Sequence, residues 1–252
     1  SFLGAPPDWE VVYTKNATEA LNLLASGLPA DLVGPGDEVV LAISCHHSNL
    51  LPWQRLTRQR GAQLSYLYVD ETGAIPEAEL EKITARTKVV AWPLISNALG
   101  NISAVNQLTL KARQAGALSV VDGAQAVGHI DVNLESLGAD FFVFSAHKVY
   151  APTGIGVLMA SRSLLERLEP LLVGGDMIEF VTETAASYAP VPQRLEAGTQ
   201  NVVGAVGLLS ALEWLEAIGL SQVAAKESQL TAKLYKALAA RPDIQLYGPS
   251  SD

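Results

Sequence analysis

Seven short runs of β-branched, aromatic and aliphatic residues recur along this 252-residue chain, and most of them lack polar alternation. They are VVYT from Val11, EVVLAIS from Glu38, LSYLYV from Leu64, KVVAWPLIS from Lys88, LSVVD from Leu118, DFFVFS from Asp140 and IGVLMA from Ile155. A strand with one solvated face alternates with period two, whereas a strand covered on both faces does not. These runs therefore predict a largely parallel sheet buried on both sides. Helical patterns fill the gaps at residues 18–28, 49–60, 76–85 and 105–115, so the chain is expected to be a three-layer αβα domain with a mainly parallel, roughly seven-stranded sheet. Between residues 171 and 201 the pattern gives way to a loop-rich stretch holding Gly174, Gly175, Pro190 and Pro192, and loops that long in compact domains tend to be functional or mobile. Two helices follow: Val202, Val206, Leu209, Leu212 and Leu215 stripe the first, and Leu230, Leu234 and Leu238 the second.

Bulk composition narrows the classes of function. With 49% hydrophobic and 17% charged residues, the chain has enough apolar surface to build a core unaided. A formal charge of −9 and the absence of a basic cluster argue against nucleic-acid or anionic-membrane binding. One cysteine makes no internal disulfide, and no apolar run reaches membrane-spanning length, so a cytoplasmic protein is expected. The chain opens at SFLGAPPDWE, where Phe2 and Leu3 read as a last helical turn broken by Pro6 and Pro7. It closes at LYGPSSD, just where a further strand is expected to finish; both ends suggest a fragment.

In an open α/β sheet the ligand lies beyond the carboxyl ends of the strands, so the residues that follow each run carry the information. Those segments are TKNATEA, SCHHSNLLPW, SNALGN, VDGAQAVG and SAHK. Together they offer hydroxyls, helix-start amides, imidazoles, an amide, a carboxylate and a lysine, a set suited to an anionic, aromatic, carbonyl-bearing cofactor. Asn16 and Glu19 have capping-box spacing, and the same helix start, with the amides of Ala17 and Thr18 and the Thr18 hydroxyl, is equally a phosphate site. Asp122 and Gln125 repeat that spacing, and Asp122 is also placed to pair with a protonated ring nitrogen. Lys148 at the end of an apolar strand must pair, snorkel or react, and a lysine whose pKa falls on burial suits imine chemistry. The glycines of TGIG, just beyond it, leave backbone room near a ligand. His46 and His47 point in different directions and have no ligand cluster to join, so no metal site is expected. Cys45 reads as a packed thiol, and His129 takes no role. No run is followed by G-x-G-x-x-G, which argues against a nicotinamide-binding dehydrogenase, and a non-catalytic relic would be expected to have lost Lys148 or Asp122.

The segment VDGAQAVGHIDVNLESLGADFFVFSAHKVYAPTGIGVL resembles the core of the class V aminotransferases, which use pyridoxal 5'-phosphate (PLP); CHHSNLLPW, ISNALGN and RLEAGTQN narrow the likeness to cysteine desulfurases and selenocysteine lyases of the Suf type. The resemblance implies that residues 1–252 form the PLP-binding large domain, truncated at both ends and without the small C-terminal domain. Lys148 would hold PLP as a Schiff base, with His147 assisting and Ser145 touching the phosphate; Ala17 and Thr18 would hold that phosphate from the helix start. Asp122 would pair with the pyridine nitrogen, Gln125 would bond the ring oxygen, His46 would stack on the ring, and Asn97 would lie near the ring oxygen and the substrate carboxylate. Gly198 and Thr199 would complete the site of a partner in a homodimer. The implied reaction takes L-cysteine or L-selenocysteine to L-alanine and passes sulfur to a protein cysteine as persulfide, with a sulfur-acceptor protein as a possible partner. The same superfamily also holds aminotransferases and epimerases. The family's acceptor cysteine and substrate-clamping arginine would lie beyond Asp252, so this piece is expected to be largely inactive. Cys45 stands where the family usually has glutamate.

Overall fold

The computed structural model describes residues 2–250. Seven strands form one sheet: β1 (Trp9–Thr14), β2 (Glu38–Ala42), β3 (Gln63–Leu67), β4 (Thr87–Pro93), β5 (Leu118–Asp122), β6 (Phe141–Ser145) and β7 (Gly156–Ser161). Their spatial order is β1-β7-β6-β5-β4-β2-β3. The pairs from β3 through β6 are parallel, while β7 runs antiparallel to both β6 and β1. Two reversals cancel, so β1 points the same way as the parallel strands. Its last residue, Thr14, therefore lies on the same sheet edge as Ala42, Pro93, Asp122 and Ser145, whereas β7 contributes its first residue, Gly156, to that edge.

The missing polar alternation has the expected cause. Every residue of β2 and β6 is buried, and successive side chains feed two separate cores. Val40, Ala42, Val90, Trp92, Phe142 and Phe144 face one core, and Val39, Leu41, Val89, Ala91, Phe141 and Val143 face the other. Helices α1 (Ala17–Gly27) and α2 (Leu51–Arg60) cover the second core through Leu21, Leu24, Trp53 and Leu56. The short α3 (Glu77–Leu80) carries Leu80 to the first core, which is covered by α4 (Val105–Ala115) through Leu108 and Ala112. Each fully buried large apolar side chain contributes about 1.5–3 kcal/mol, so these two layers supply most of the drive to fold.

Some elements depart from expectation. The pattern over residues 76–85 yields a helix only at Glu77–Leu80, the backbone then turning at Glu81 and Lys82. Two one-turn helices, α5 (Leu134–Leu137) and α6 (Arg162–Leu165), are too short to leave a period in the sequence. The stretch 171–201 contains a hairpin, β8 (Ile178–Val181) with β9 (Ala186–Tyr188), which the loop expectation missed; all of its residues are exposed, so no burial pattern marks it. Phe2 and Leu3 lie in a turn rather than a helical end, and no strand forms before Gly248. Helix α7 (Val202–Ile218) buries Leu208 and Leu215, whereas α8 (Leu220–Ala239) buries none of its residues. Among the described residues, no single helix is long and apolar enough to cross a membrane.

Candidate active site

The residues gathered at the strand-end edge come from five connections. After β1 the chain enters α1 through Asn16, whose side chain accepts the Glu19 amide at 3.0 Å as an N-cap. Glu19 returns its carboxylate to the Lys15 amide at 2.5 Å, a displaced form of the capping box. The cap leaves one amide of the helix start open. The Ala17 amide donates to the buried Ser145 hydroxyl at 2.8 Å, while the Thr18 amide has no acceptor among the described residues. This helix start is thereby locked to the end of β6.

Lys148 ends a one-turn 3-10 helix (Ala146–Lys148) that begins directly after β6. It is half-buried, and among the described residues its amine has neither a hydrogen bond nor an ion pair. The turn beyond it is shaped by protein contacts. Tyr150 takes φ 64 with its ring edge-on to Trp214, and Gly154 and Gly156 of the TGIG turn pack against other parts of the chain. A Cβ on Gly156 would meet the Asn16 backbone, and the Gly154 carbonyl accepts from the Asn201 side-chain amide at 2.9 Å. His147 is exposed.

Asp122 is 6% exposed at the end of β5. Its one hydrogen bond among the described residues is to the Ala124 amide at 3.0 Å; the expected box with Gln125 does not form, because residues 123–129 are turns rather than a helix. Burial pushes the Asp122 carboxyl up from the ordinary carboxylate range, and the Ala124 amide and the charges of Lys148 and His46 pull it part of the way back. Lysine, carboxylate and imidazole thus act on one another at this edge. Gly123 follows because only hydrogen fits there: a Cβ would lie 2.0 Å from the Phe142 ring.

Cys45, after β2, is buried with its thiol 3.5 Å from the Ala91 carbonyl. Burial first, and the Asp122 charge second, push its pKa well up, so it stays a thiol. His46 and His47 are exposed with ring centroids 5.8 Å apart. Among the described residues no three His, Cys, Asp or Glu side chains converge as a metal site.

Asn97 sits exposed on the loop after β4, which closes on itself through Ser96 and is pinned by Asn101 donating to the Gly73 carbonyl at 2.6 Å. Asn97 and Gln125 line one cleft of about 880 Å³ with His129 and Glu227, the last two hydrogen-bonded at 2.8 Å. Thr199 instead lines a separate hollow of about 290 Å³ with Thr14, Lys15 and Glu19. Gly198 (φ 82) and Thr199 are therefore not brought into the cleft of Asn97 and Gln125 within one chain. Their loop is held by Glu196, whose carboxylate accepts the Tyr13 amide at 2.5 Å. Burial raises the Glu196 pKa against that amide. Sequence reasoning did not single out Glu196 or Ser48. Ser48 bonds His46 through both its amide and its hydroxyl, and its signal was present as a serine two residues after a histidine, a spacing that favours local side-chain to backbone bonds.

Comparison with known proteins agrees with this geometry. The sequence matches the family described as aminotransferase class-V over residues 1–252. It is 41% identical to a probable cysteine desulfurase of Streptomyces coelicolor across 99% of this chain and 61% of that protein. A solved cysteine desulfurase from Thermococcus onnurineus superposes with a TM-score of 0.91 at 40% identity, covering 98% of this chain and 62% of the other. A C-DES variant with glycine linked to its PLP cofactor shares the fold, with a TM-score of 0.84 at 21% identity, covering 96% and 64%. The chain thus spans about three fifths of the length of the relatives it matches.

Proposed function

The chain belongs to the class-V aminotransferase family, a PLP-dependent one, and from that premise we propose that it is the cofactor-binding large domain of a cysteine desulfurase. The observation that carries the proposal is that the charge of Lys148, a half-buried amine with no hydrogen bond or ion pair among the described residues, acts on Asp122, a carboxylate 6% exposed that accepts from only one amide among them. Both groups lack what PLP would give them. An aldehyde suits the amine, a protonated pyridine nitrogen suits the carboxylate, and the open Thr18 amide at the start of α1 suits a phosphate.

When bound, PLP supplies an electrophilic carbonyl and a conjugated ring that accepts electrons from the substrate. Lys148 would hold the cofactor covalently, and its amine would move the proton at the substrate Cα. Asp122 would keep a proton on the ring nitrogen. A buried carboxylate suits this task, since burial disfavours its charge and a facing cation restores it. Ser145 and the start of α1 orient the phosphate end, His46 covers the ring face, and Asn97 and Gln125 address the ring oxygen and the substrate carboxylate from their shared cleft. His147 assists beside the lysine. Gly198 and Thr199 serve the neighbouring subunit of a homodimer, a role supported by the place of Thr199 on a separate hollow.

The net reaction takes L-cysteine to L-alanine and moves its sulfur to a protein thiol as persulfide. Cys45 is the single cysteine of the 252 residues, and its burial as a protonated thiol disqualifies it as acceptor. The acceptor therefore comes from outside these residues, and the chain alone turns over little. A cytoplasmic setting suits this free-thiol chemistry.

The test is the visible spectrum of the purified protein with PLP, beside Lys148→Ala. A band present in the first and absent in the second supports the cofactor and its lysine; absence from both overturns the assignment. Alanine release from cysteine and from selenocysteine, assayed on the longer protein, then separates desulfurase from selenocysteine lyase, and release from neither redirects the proposal toward transamination or epimerisation.

A further inference from the structure

Ser48 contacts His46 twice. Its amide N–H donates to His46 Nδ1 at 3.2 Å, and its hydroxyl lies 3.0 Å from the same nitrogen. A backbone amide only donates, so Nδ1 is the acceptor there and carries no proton. The one hydrogen bond open to the hydroxyl contact is then Ser48 Oγ–H donating to Nδ1, whose single lone pair it shares with the Ser48 amide. That uses the only proton on the serine hydroxyl. The 2.7 Å contact between Ser48 Oγ and Thr18 Oγ1 must therefore run from Thr18 to Ser48.

Two contacts that are each ambiguous alone thus resolve into one directed chain, from Thr18 through Ser48 to His46. We propose that Ser48 is a positioning residue of this site. It fixes the neutral His46 ring as the Nε2–H tautomer and ties the ring's orientation to the start of α1.

This inference deepens the proposed function and rests on it for its catalytic meaning, though not for the hydrogen-bond logic. It has two chemical consequences. His46 presents a donor, rather than a lone pair, on the side away from Ser48, which favours an oxygen anion there over a proton-bearing group. Thr18 spends its hydroxyl proton on Ser48, so its contribution to an anion at α1 is the backbone amide, which has no other acceptor.

The experiment is 15N NMR of histidine-labelled protein without PLP, at about pH 8.5, two units above the ordinary imidazole pKa of about 6.5. The His46 signals are assigned by their loss in His46→Asn. The expected wild-type pattern is an unprotonated Nδ1 and a protonated Nε2. In Ser48→Ala the two signals move toward each other as the bias relaxes, and Ser48→Thr, which keeps the hydroxyl, restores the wild-type pattern. A wild-type ring protonated at Nδ1, or a Ser48→Ala spectrum identical to wild type, overturns the inference.

A parallel titration with PLP separates the two ideas. Ser48→Ala is expected to raise the PLP Kd roughly fivefold, as for loss of one hydrogen bond, with recovery in Ser48→Thr. If no Lys148-dependent band forms at all, the cofactor assignment fails while the tautomer result stands or falls by itself.

Discussion

A methyl group on Gly156 would stand 2.4 Å from the Cα of Asn16. The first residue of β7 and the N-cap of α1 are thus in backbone contact, and that contact sets where the Ala17 amide meets Ser145 and where the Thr18 amide points. The start of the helix is located by a missing side chain on β7, two strands away from Asp122 on β5.

Gly156→Ala is accordingly expected to cost about 1–3 kcal/mol by overpacking, seen as a lower urea midpoint with an unchanged slope. Displacement of α1 should weaken PLP binding as well, by about tenfold for each 1.4 kcal/mol of lost contact. Wild-type stability and wild-type PLP affinity together would contradict the close contact.

Lys148→Arg keeps a positive charge near Asp122 but has no amine to condense with an aldehyde. Stability of the PLP-free protein is expected to stay within about 0.5 kcal/mol of wild type. Borohydride treatment with PLP should add a pyridoxyl group at Lys148 in the wild type and none in the variant, as read by peptide mass spectrometry.

The Asp122 carboxyl has a folded-state pKa above its unfolded value because burial disfavours its charge. Between those two values the folded state binds more protons than the unfolded one, so stability falls as pH rises through that window. In the PLP-free protein, Asp122→Asn removes this penalty. Its advantage over wild type should therefore grow as pH rises above the usual carboxylate range and then level off, in urea titrations at stepped pH. In the longer protein loaded with PLP, the same substitution is expected to lose kcat/KM for cysteine, because an amide does not hold a proton on the ring nitrogen.

Cys45 is buried and held as a thiol by desolvation and by the neighbouring Asp122 charge. A disulfide reagent should leave it untouched in the native protein and titrate one thiol after unfolding in guanidinium. Cys45→Ala should keep the Lys148-dependent band. Rapid native labelling would place the sulfur exposed and reopen its candidacy as an acceptor.

Much of the frame was legible because its strands are buried on both faces, and such strands announce themselves as continuous apolar runs. Helix α4 was found at its exact bounds, with Gly116 in a left-handed C-cap closing it. Lys148 and Asp122 were legible because each ends a run at the edge where ligands bind. Three kinds of feature were not. The exposed hairpin of β8 and β9 has no burial to pattern it; the glycines at 123 and 156 answer to partners distant in sequence, Phe142 and Asn16. The Thr18, Ser48 and His46 chain joins two helix starts that only the folded sheet brings side by side.

The reversal of β7 also orders the assembly of the site. Ser145 and Gly156 pair across a short return, so the segment carrying Lys148 closes through contacts local in sequence. The start of α1 is fastened instead by β1, whose Trp9 pairs with Ser161 and whose Thr14 pairs with Gly156, at the far end of the sheet-forming sequence. Loop closure over that span is slow and comes late. During synthesis the lysine's hairpin and the acid's parallel neighbour can both form before α1 is anchored, so the start of α1 is expected to be the last part of this edge to take shape.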